Sequence, residues 1–405
     1  MSHKKIDHEQ MPGGEASIAV AGRKTAYQDP VRFLACPEAF KALMLETRAH
    51  SASDVMVQPG KPAMAIINGR LHAVTHRPLD SDEVKNILEW VAGRPTALTD
   101  ILTQSPVNAR YIIYDPNKRA ANGAPIQYAY RVNAVPIDAA GGISAQIVMR
   151  TIPNDPPEWR TVGLTQEILR ASTPENGIVY IAGTTGSGKT TTFSAIIRHI
   201  LETPKDEATI HGNLITIEEP IEFTYRNILS EHSVLTQSQV PDHFKSFQDG
   251  VREAMRRAPR LVLVGELRDA ETISAARELA LTGHPVFSTV HAINVAAVMP
   301  RLVSRFGQAE KSTMVFDLID TARFIMAQRL VRSIDGKLVA AREYLEFDQD
   351  IRNDLIAIGD IGRITERIRQ LVHEHPKGHS FEAEGKDLQE AGKIDEKVAL
   401  QLAHS

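Results

Sequence analysis

Two periods of hydrophobic and polar positions are mixed in the first 150 residues. Helical spacing occurs in FKALMLETRAH and SDEVKNILEWV, whereas AMAIINGRLHAV, YAYRVNAVPI and GGISAQIVMRTI contain short strand-like runs that Asn-Gly, Pro or a Gly pair interrupts or introduces. This mixture predicts a small α+β domain over residues 31–150.

The pattern changes in the second half of the chain. Apolar runs rich in β-branched residues alternate there with helical segments; the runs are GIVYIAG, NLITIEE, PRLVLVGE and HPVFSTVHA. Strands that are apolar at successive positions are typical of a parallel sheet buried on both faces. An α/β domain is therefore predicted over residues 165–405, and its last part, from about Ile351, is helical and polar.

Two segments follow neither period. Residues 1–30 mix His, Lys, Gly and Glu, which predicts a flexible N-terminal arm. The segment TIPNDPPEWRTVGL, residues 151–164, contains three prolines. Because proline fixes φ and cannot continue a helix or a central strand, this segment is predicted to be the linker between the two domains.

Composition narrows the class of protein. The 405 residues are 42 % hydrophobic and 24 % charged, with a formal net charge of −4, so no general attraction to nucleic acid or anionic lipid is expected. The single Cys36 excludes an internal disulfide and a zinc ribbon. The first residues are too polar for a secretory signal, and no apolar run reaches about 18 residues. These features predict a cytoplasmic protein that only partners hold at a membrane.

The segment IVYIAGTTGSGKTTTF contains the pattern G-x-x-x-x-G-K-[ST] between a predicted strand and a predicted helix. Glycines there let successive N–H groups face one anion, and the helix N-terminus adds partial positive charge. Lys189 is expected to reach the β- and γ-phosphates of ATP, and the Thr190 hydroxyl to ligate Mg²⁺. The predicted nucleotide contacts are Gly183, Thr184, Thr185, Gly186, Ser187, Gly188, Lys189, Thr190 and Thr191.

Acidic residues and one histidine follow three further predicted strands. Glu266 ends PRLVLVGE, which is expected beside the strand that enters the glycine-rich loop, where a carboxylate holds Mg²⁺ through water or polarises the attacking water. In ITIEEPIEF, Glu218, Glu219 and Glu222 would repel one another unless a cation or an arginine is nearby, and one of them is a candidate base. His291 ends a further strand, either beside the γ-phosphate or these carboxylates, or in a structural role.

These four segments, in this order and spacing, resemble the Walker A, Asp, Walker B and His boxes of the secretion ATPase superfamily. That superfamily serves type II secretion, type IV secretion and type IV pili. Similarity to its PilT-like pilus-retraction members extends to ASDVMVQPGKPAMAIINGRL, YRVNA, MRTIP and IRNDLI. The resemblance covers about residues 45–400.

The resemblance implies a homohexameric, Mg²⁺-dependent ATPase with a PAS-like N-terminal domain and a RecA-like C-terminal domain that move relative to each other during hydrolysis. On this sequence, Glu222 takes the place of the catalytic glutamate, Glu266 that of the Walker B glutamate and His291 that of the His-box histidine. Arg131 and Arg150 fall where the family supplies arginines toward the phosphates; the alternative is two surface arginines on strands.

Two departures bear on the branch of the family. Glu218-Glu219-Pro220 stands where Glu-Asp-Pro is usual, which leaves the role of Glu219 open. IRNDLIAIGDIGRI only partly matches the segment tied to pilus retraction. The chain is thus more similar to the DotB/TraJ branch of type IVB secretion and conjugative transfer ATPases, which implies a ring docked on a membrane-embedded complex at the cytoplasmic face of the inner membrane.

Two alternatives remain open at this point. One is a pilus-retraction motor of the same fold. The other, from a different class, is a nucleotide-switched DNA-binding protein or translocase, for which REAMRRAPR, residues 252–260, is the only basic cluster. An ordinary helix surface ahead of a buried strand is the favoured explanation of that cluster.

Overall fold

The computed structural model describes residues 36–119, 123, 125–139, 141–153 and 155–404. The chain divides into two compact units, the first ending at Pro153 and the second beginning at residue 154. The predicted N-terminal arm, residues 1–30, lies outside the described residues.

The described residues of the first unit form an antiparallel six-stranded sheet with the strand order β3-β2-β1-β6-β5-β4 and three helices. Its elements are α1 (Pro37–Ala49), β1 (Asp54–Val57), β2 (Met64–Ile67), β3 (Arg70–Ala73), α2 (Ser81–Ala92), α3 (Ala97–Leu102), β4 (Val107–Arg119), β5 (Pro125–Ala139) and β6 (Gly142–Ile152).

Local sequence accounts for much of this unit. Asn68 and Gly69, both with positive φ, form the turn between β2 and β3. Asp80 and Glu83 form a capping box at the start of α2. Apolar side chains of the helices pack on one face of the sheet, for example Leu43 and Ile87 in one cluster with strand residues such as Val132. Alternate side chains of β5 therefore face away from this core.

The second unit contains an eight-stranded sheet with the order β14-β13-β12-β7-β11-β10-β8-β9. Pairing is parallel from β12 to β9, and β13 and β14 are antiparallel to their neighbours. Its elements are α4 (Gln166–Ala171), β7 (Gly177–Ala182), α5 (Lys189–Glu202), β8 (Gly212–Glu218), β9 (Ser233–Gln239), α6 (Phe247–Ala254), β10 (Pro259–Glu266), α7 (Ala270–Leu281), β11 (Pro285–Val290), α8 (Val298–Val303), α9 (Lys311–Thr321), β12 (Ala322–Arg332), β13 (Leu338–Glu346), α10 (Gln349–Ile358), α11 (Ile361–Glu374), β14 (Gly378–His379), α12 (Phe381–Glu390) and α13 (Glu396–Ala403).

The sheet of the second unit is covered by a separate core on each face. Phe193 and Ile197 of α5 belong to one cluster, in which the Phe193 and Phe287 rings stack with centroids 4.9 Å apart. Ile273 of α7 and Leu318 of α9 belong to the other cluster. Every residue of β7 and β11 is buried, as expected for strands covered on both faces.

The four apolar runs predicted as strands are β7, β8, β10 and β11. Their predicted order was wrong in one respect, because β10 is not beside β7. Strand β11 lies between them, with Val290 opposite Ala182 and Thr289 opposite Glu266. The neighbours of a parallel strand depend on how the crossover helices pack, which the order along the chain does not reveal.

The first residues of the second unit, from Pro156 onward, pack against the rest of that unit. The Arg198 guanidinium donates to the Pro156 carbonyl (2.8 Å), and the Trp159 ring meets the His199 ring edge-on at 5.8 Å. Strand β6 runs to Ile152. Within the proline-containing segment 151–164, attachment to the second unit therefore begins soon after β6 ends.

Two smaller expectations concern surfaces. The basic cluster 252–260 covers the end of α6 and the start of β10, where Glu253 accepts a hydrogen bond from Arg256 at 3.0 Å. It therefore occupies a helix surface ahead of a buried strand.

Among the described residues, the helices are all too short or too polar to cross a bilayer.

Candidate nucleotide-binding site

The carboxyl ends of β7, β11, β10 and β8 lie at the same edge of the second sheet because these strands are parallel. The glycine-rich loop follows β7, and His291 follows β11. Glu266 ends β10, and Glu218 ends β8. This edge therefore collects the loop, the histidine and the acidic segments from positions that are far apart in the chain.

The loop between β7 and α5 has a shape that requires glycine. Gly183 has φ 153°, and a Cβ there would lie 2.5 Å from the Gln328 carbonyl oxygen. Gly188, with φ 85°, is the left-handed N-cap residue immediately before α5. Larger residues at these two positions would collide or strain the backbone, so the loop can pass close to its neighbours only with glycine.

Lys189 is buried and aims its ammonium group back across the loop. Its Nζ donates to the carbonyl oxygens of Gly183 (3.0 Å) and Thr184 (2.9 Å). Burial lowers the pKa of Lys189, and the negative charges of Glu266 and Glu222 oppose that shift. The lysine is thus bonded to the loop while its charge interacts with both carboxylates.

Two further features of the loop and of α5 are compatible with binding the phosphates of a nucleotide. Within the described part of the chain, the buried Ser187 hydroxyl has no hydrogen-bond partner. Thr190 and Thr191, in the first turn of α5, are partly exposed. A buried hydroxyl without a partner is costly, whereas an anion in the loop would supply an acceptor for it.

Arg268 joins two of the predicted acidic residues. Its Nε donates to Glu266 Oε2 (2.9 Å) and its Nη1 donates to Glu219 Oε2 (2.8 Å). Burial tends to lower the pKa of Arg268, but the bonds and charges of Glu266 and Glu219 outweigh it and raise that pKa. This is the neighbouring arginine that the closely spaced carboxylates require.

His291 lies against the same carboxylate. Its Nε2 is 3.2 Å from Glu266 Oε1, so Arg268 contacts one oxygen of Glu266 and His291 contacts the other. Of the positions predicted for His291, the structure shows the one beside a carboxylate, that of Glu266. A proton on His291 would make this contact an ion pair.

Glu222 is exposed, and its charge acts on Lys189. Its backbone N–H bonds to the carboxyl group of Glu218. Glu222 therefore lies at the edge where the other carboxylates gather.

Arg131 and Arg150 belong to the first unit. They stand opposite each other on β5 and β6, and Arg110 stands opposite Arg131 on β4. Arg150 donates from Nε to Asp54 Oδ1 at 2.8 Å. Three arginines thus form one row across the sheet, with Asp54 next to Arg150 at its end.

A family model described as "Type II/IV secretion system protein" matches residues 39–393. The chain belongs to this family.

The secretion-family chain is similar in structure to two ATPases named DotB. The X-ray structure from Yersinia pseudotuberculosis is 44% identical, covers 96% of this chain and 98% of that chain, and has a TM-score of 0.78. The structure from Legionella pneumophila is 39% identical, covers 91% of this chain and 96% of that chain, and has a TM-score of 0.81. The pilus retraction motor PilT with bound ADP is 26% identical, covers 89% and 96%, and has a TM-score of 0.71.

This family member is therefore an ATPase with a RecA-like core and a smaller α+β domain ahead of it. The predicted fold class and the predicted membership in the secretion ATPase superfamily are both confirmed.

Sequence reasoning missed three residues around the site of this ATPase. Arg268 follows Glu266 by two positions, and the crowding of carboxylates was a signal that an arginine was needed. Gln328 and Arg342 lie on β12 and β13; Gln328 bonds to the Ser187 carbonyl of the loop, and Arg342 bonds to Gln328. No motif marks these two residues, because only the tertiary fold makes these contacts.

Glu218 is a buried carboxyl group behind the acidic cluster. Burial raises its pKa to about 7, although hydrogen bonds from Thr216 and Gln237 act to lower it. The Thr216 hydroxyl donates to Glu218 Oε1 at 2.6 Å, and Gln237 Nε2 donates to the same oxygen at 3.1 Å. This group therefore keeps its proton to a higher pH than an exposed glutamate does.

The free energy of unfolding should fall with rising pH because of Glu218. Its pKa is about 7 in the folded protein against 4.5 for an unperturbed glutamate, so the folded state binds more protons between these values and loses stability as pH rises. Between about pH 5 and pH 8 we expect Glu218 to contribute a decrease of roughly 2 to 3 kcal/mol.

Urea unfolding of the wild type and of Glu218→Gln at both pH values measures this contribution. The unfolding free energy of the wild type minus that of Glu218→Gln should be lower at pH 8 than at pH 5 by that amount. The exposed Glu231→Gln serves as the control and should follow the wild type. Equal pH dependence of the wild type and Glu218→Gln would contradict the prediction.

Proposed function

We propose that this ATPase is the Mg²⁺-dependent motor of a type IVB secretion or conjugative transfer apparatus, working as a hexameric ring at the cytoplasmic face of the inner membrane. The observation that carries the proposal is the shared sheet edge of the loop lysine Lys189 and the cluster Glu266, Arg268 and His291. The choice of branch is supported by identities of 44% and 39% with the two DotB structures, against 26% with PilT.

In this proposal the loop binds the β- and γ-phosphates of ATP. Lys189 exchanges its hydrogen bonds to the Gly183 and Thr184 carbonyls for bonds to phosphate oxygens. The Ser187 hydroxyl, which lacks a partner in the described chain, and the N–H groups at the start of α5 donate as well. The same loop and the first turn of α5 contain the other residues proposed to contact the phosphates, which are Thr184, Thr185, Gly186 and Thr191.

Thr190 and Glu266 would hold Mg²⁺, Glu266 through a water molecule because its two oxygens already contact Arg268 and His291. Bound Mg²⁺ neutralises charge on the phosphate oxygens. The residue types at the site fit this ion, since hydroxyl and carboxylate oxygens are the ligands that Mg²⁺ prefers.

Hydrolysis needs a base for the attacking water. Glu222 is proposed to accept a proton from that water. At the same time the water oxygen bonds to the γ-phosphorus, and the bond from the γ-phosphorus to the bridging oxygen of ADP breaks. The effect of the Glu222 charge on Lys189 supports this assignment. His291, against Glu266, is proposed to hold that carboxylate in position.

Arg131 and Arg150 are proposed to neutralise negative charge that develops on the phosphates. Like charges directly opposite on neighbouring strands repel each other, and an anionic ligand would relieve that repulsion. Because they belong to the first unit, their contact with nucleotide would couple hydrolysis to the movement of one domain against the other. An Arg131→Ala variant that hydrolyses ATP at the wild-type rate would contradict this role.

The purified chain tests the proposal directly. We expect ATP hydrolysis that requires Mg²⁺ and is lost on addition of a chelator, together with a particle of six chains in mass photometry when nucleotide is present. A protein that stays monomeric with and without nucleotide would contradict the ring, and hydrolysis at an unchanged rate in the chelator would contradict the role of Mg²⁺.

The system that the motor serves is tested in the cell. Deleting the gene should abolish conjugation or delivery of secreted proteins. Excess pili together with lost twitching would instead favour pilus retraction, the function for which the PilT motor is named. DNA binding that is sensitive to salt near physiological ionic strength would favour a translocase.

A further inference from the structure

The side-chain amide of Gln328, on β12, lies at the meeting point of three segments of the second unit. Its Nε2 donates to the Ser187 carbonyl in the glycine-rich loop at 2.7 Å. Its Oε1 accepts from the Thr192 hydroxyl of α5 at 2.8 Å and from Arg342 Nε at 3.0 Å. Gln328 is buried, so each of these bonds is shielded from water.

The loop rests on residue 328 at both of its ends. A Cβ on Gly183 would lie 2.5 Å from the Gln328 carbonyl oxygen, and a Cβ on Gly188 would lie 2.9 Å from Gln328 Nε2. The bond to the Ser187 carbonyl also sets the direction of the Gly188 N–H, because a trans peptide is planar and its N–H points opposite to its C=O. Gln328 thereby orients an N–H group that the loop needs for phosphate.

Arg342, on β13, extends the contact to the segment where the chain enters the second unit. Its Nη2 donates to the Val162 carbonyl at 2.6 Å and its Nη1 to the Gly163 carbonyl at 2.8 Å. Val162 and Gly163 lie between the end of β6 and the start of α4. A continuous row of hydrogen bonds, buried at Gln328 and partly buried at Val162 and Gly163, therefore joins the loop to this connecting segment.

Arg342 is 2 % exposed, and the hydrogen bonds of its guanidinium within the described chain go to neutral oxygen atoms. Burial lowers the pKa of Arg342 to about 10, and the charge of Glu384 opposes this shift. The group therefore keeps its charge at neutral pH. A buried charge held by neutral acceptors requires all of them to stay in place, so movement of either segment disturbs the other.

We propose that Gln328 is a positioning residue for the phosphate-binding loop, and that Arg342 links the loop through Gln328 to Val162 and Gly163. Nucleotide binding at the loop then rigidifies the connecting segment as well. This inference rests on the proposed binding of nucleotide at residues 183–191.

Gln328→Glu separates the loop contact from the rest of the network. A carboxylate keeps the shape of the side chain and still accepts from Thr192 and Arg342, but it cannot donate to the Ser187 carbonyl. Arg342→Lys leaves the Gln328 amide in place and removes the forked contact with Val162 and Gly163. Arg352→Lys is the matched control, because Arg352 is a buried arginine of α10 that donates to the Phe347 carbonyl and to Gln349 Oε1.

Two measurements on the full chain test the proposal: the Kd of a fluorescent ADP analogue, and amide hydrogen exchange with and without ADP. For Gln328→Glu we expect about tenfold weaker binding, the effect of losing one buried hydrogen bond. In the wild type and in Arg352→Lys, ADP should slow exchange in both the loop and residues 160–165. In Arg342→Lys the loop should still be protected, and the protection of residues 160–165 should be lost.

The outcomes separate this inference from the proposed function. A wild type that binds no ADP overturns both. A wild type that binds ADP, with Gln328→Glu within twofold of it, overturns the positioning role. Absence of ADP protection at residues 160–165 in the wild type overturns the link through Arg342. Gln328→Met, an uncharged side chain of similar length without the amide, replaces Gln328→Glu if that variant does not fold, and binding by it within twofold of the wild type overturns the positioning role too.

Discussion

Lys189→Ala should reduce ATP hydrolysis by roughly 100- to 1,000-fold, and nucleotide binding should weaken with it. The ammonium group is buried at the mouth of the loop and is held by the carbonyls of Gly183 and Thr184. Removing it leaves no other described cation inside the loop to meet the β- and γ-phosphates. Steady-state hydrolysis and titration with a fluorescent ATP analogue measure the two effects.

Lys205→Ala is the matched control for this variant. Lys205 is exposed just beyond the C-terminal end of α5, the helix that Lys189 begins, so it loses the same charge without touching the loop. It should hydrolyse ATP like the wild type. If Lys189→Ala retained wild-type binding and hydrolysis, the phosphates would have to bind elsewhere, and the proposed site would be wrong.

Glu266→Gln should lower kcat by roughly 100-fold or more while leaving ATP binding intact. The carboxylate contacts Arg268 through one oxygen and His291 through the other. The amide of glutamine keeps one acceptor, loses the negative charge and presents a donor to one of these two partners. Its expected loss is therefore in catalysis, since the loop that binds the phosphates is unchanged.

Single-turnover hydrolysis and the Kd of the fluorescent ATP analogue separate these two steps for Glu266→Gln. Glu271→Gln is the control, because Glu271 is exposed in the first turn of α7, a few residues further along the chain. It should leave kcat unchanged. A Glu266→Gln protein that binds ATP poorly but turns over at the normal kcat would show that Glu266 holds the nucleotide rather than assisting its cleavage.

The strands predicted from the sequence are those whose local pattern is unambiguous. β7, β8, β10 and β11 are short, apolar and rich in β-branched residues. Several other strands were not predicted, because polar side chains interrupt them. β9 reads SVLTQSQ at the edge of its sheet, and β12 reads ARFIMAQRLVR. A strand at an edge, or with buried polar residues, has no clear period of its own.

The candidate site likewise contains residues that the sequence predicts and residues that only the fold reveals. The glycine-rich loop is predictable because its conformation depends on Gly183 and Gly188 themselves and on the helix that follows. The Arg268 bridge was foreseen only as a need for positive charge near Glu219 and Glu266. Gln328 left no signal in the sequence, since its contact with Ser187 spans 141 positions.

The amino-acid sequence by itself determined the loop, the buried strands around it and the residue types that face a nucleotide, because these depend on local backbone preferences and on burial. The tertiary structure decided which strand lies next to which, and so put β11 and His291 between the loop and Glu266. It also joined the loop to the connecting segment through Gln328 and Arg342. Such contacts depend on the packing of whole elements, and the spacing of residues along the chain carries no record of it.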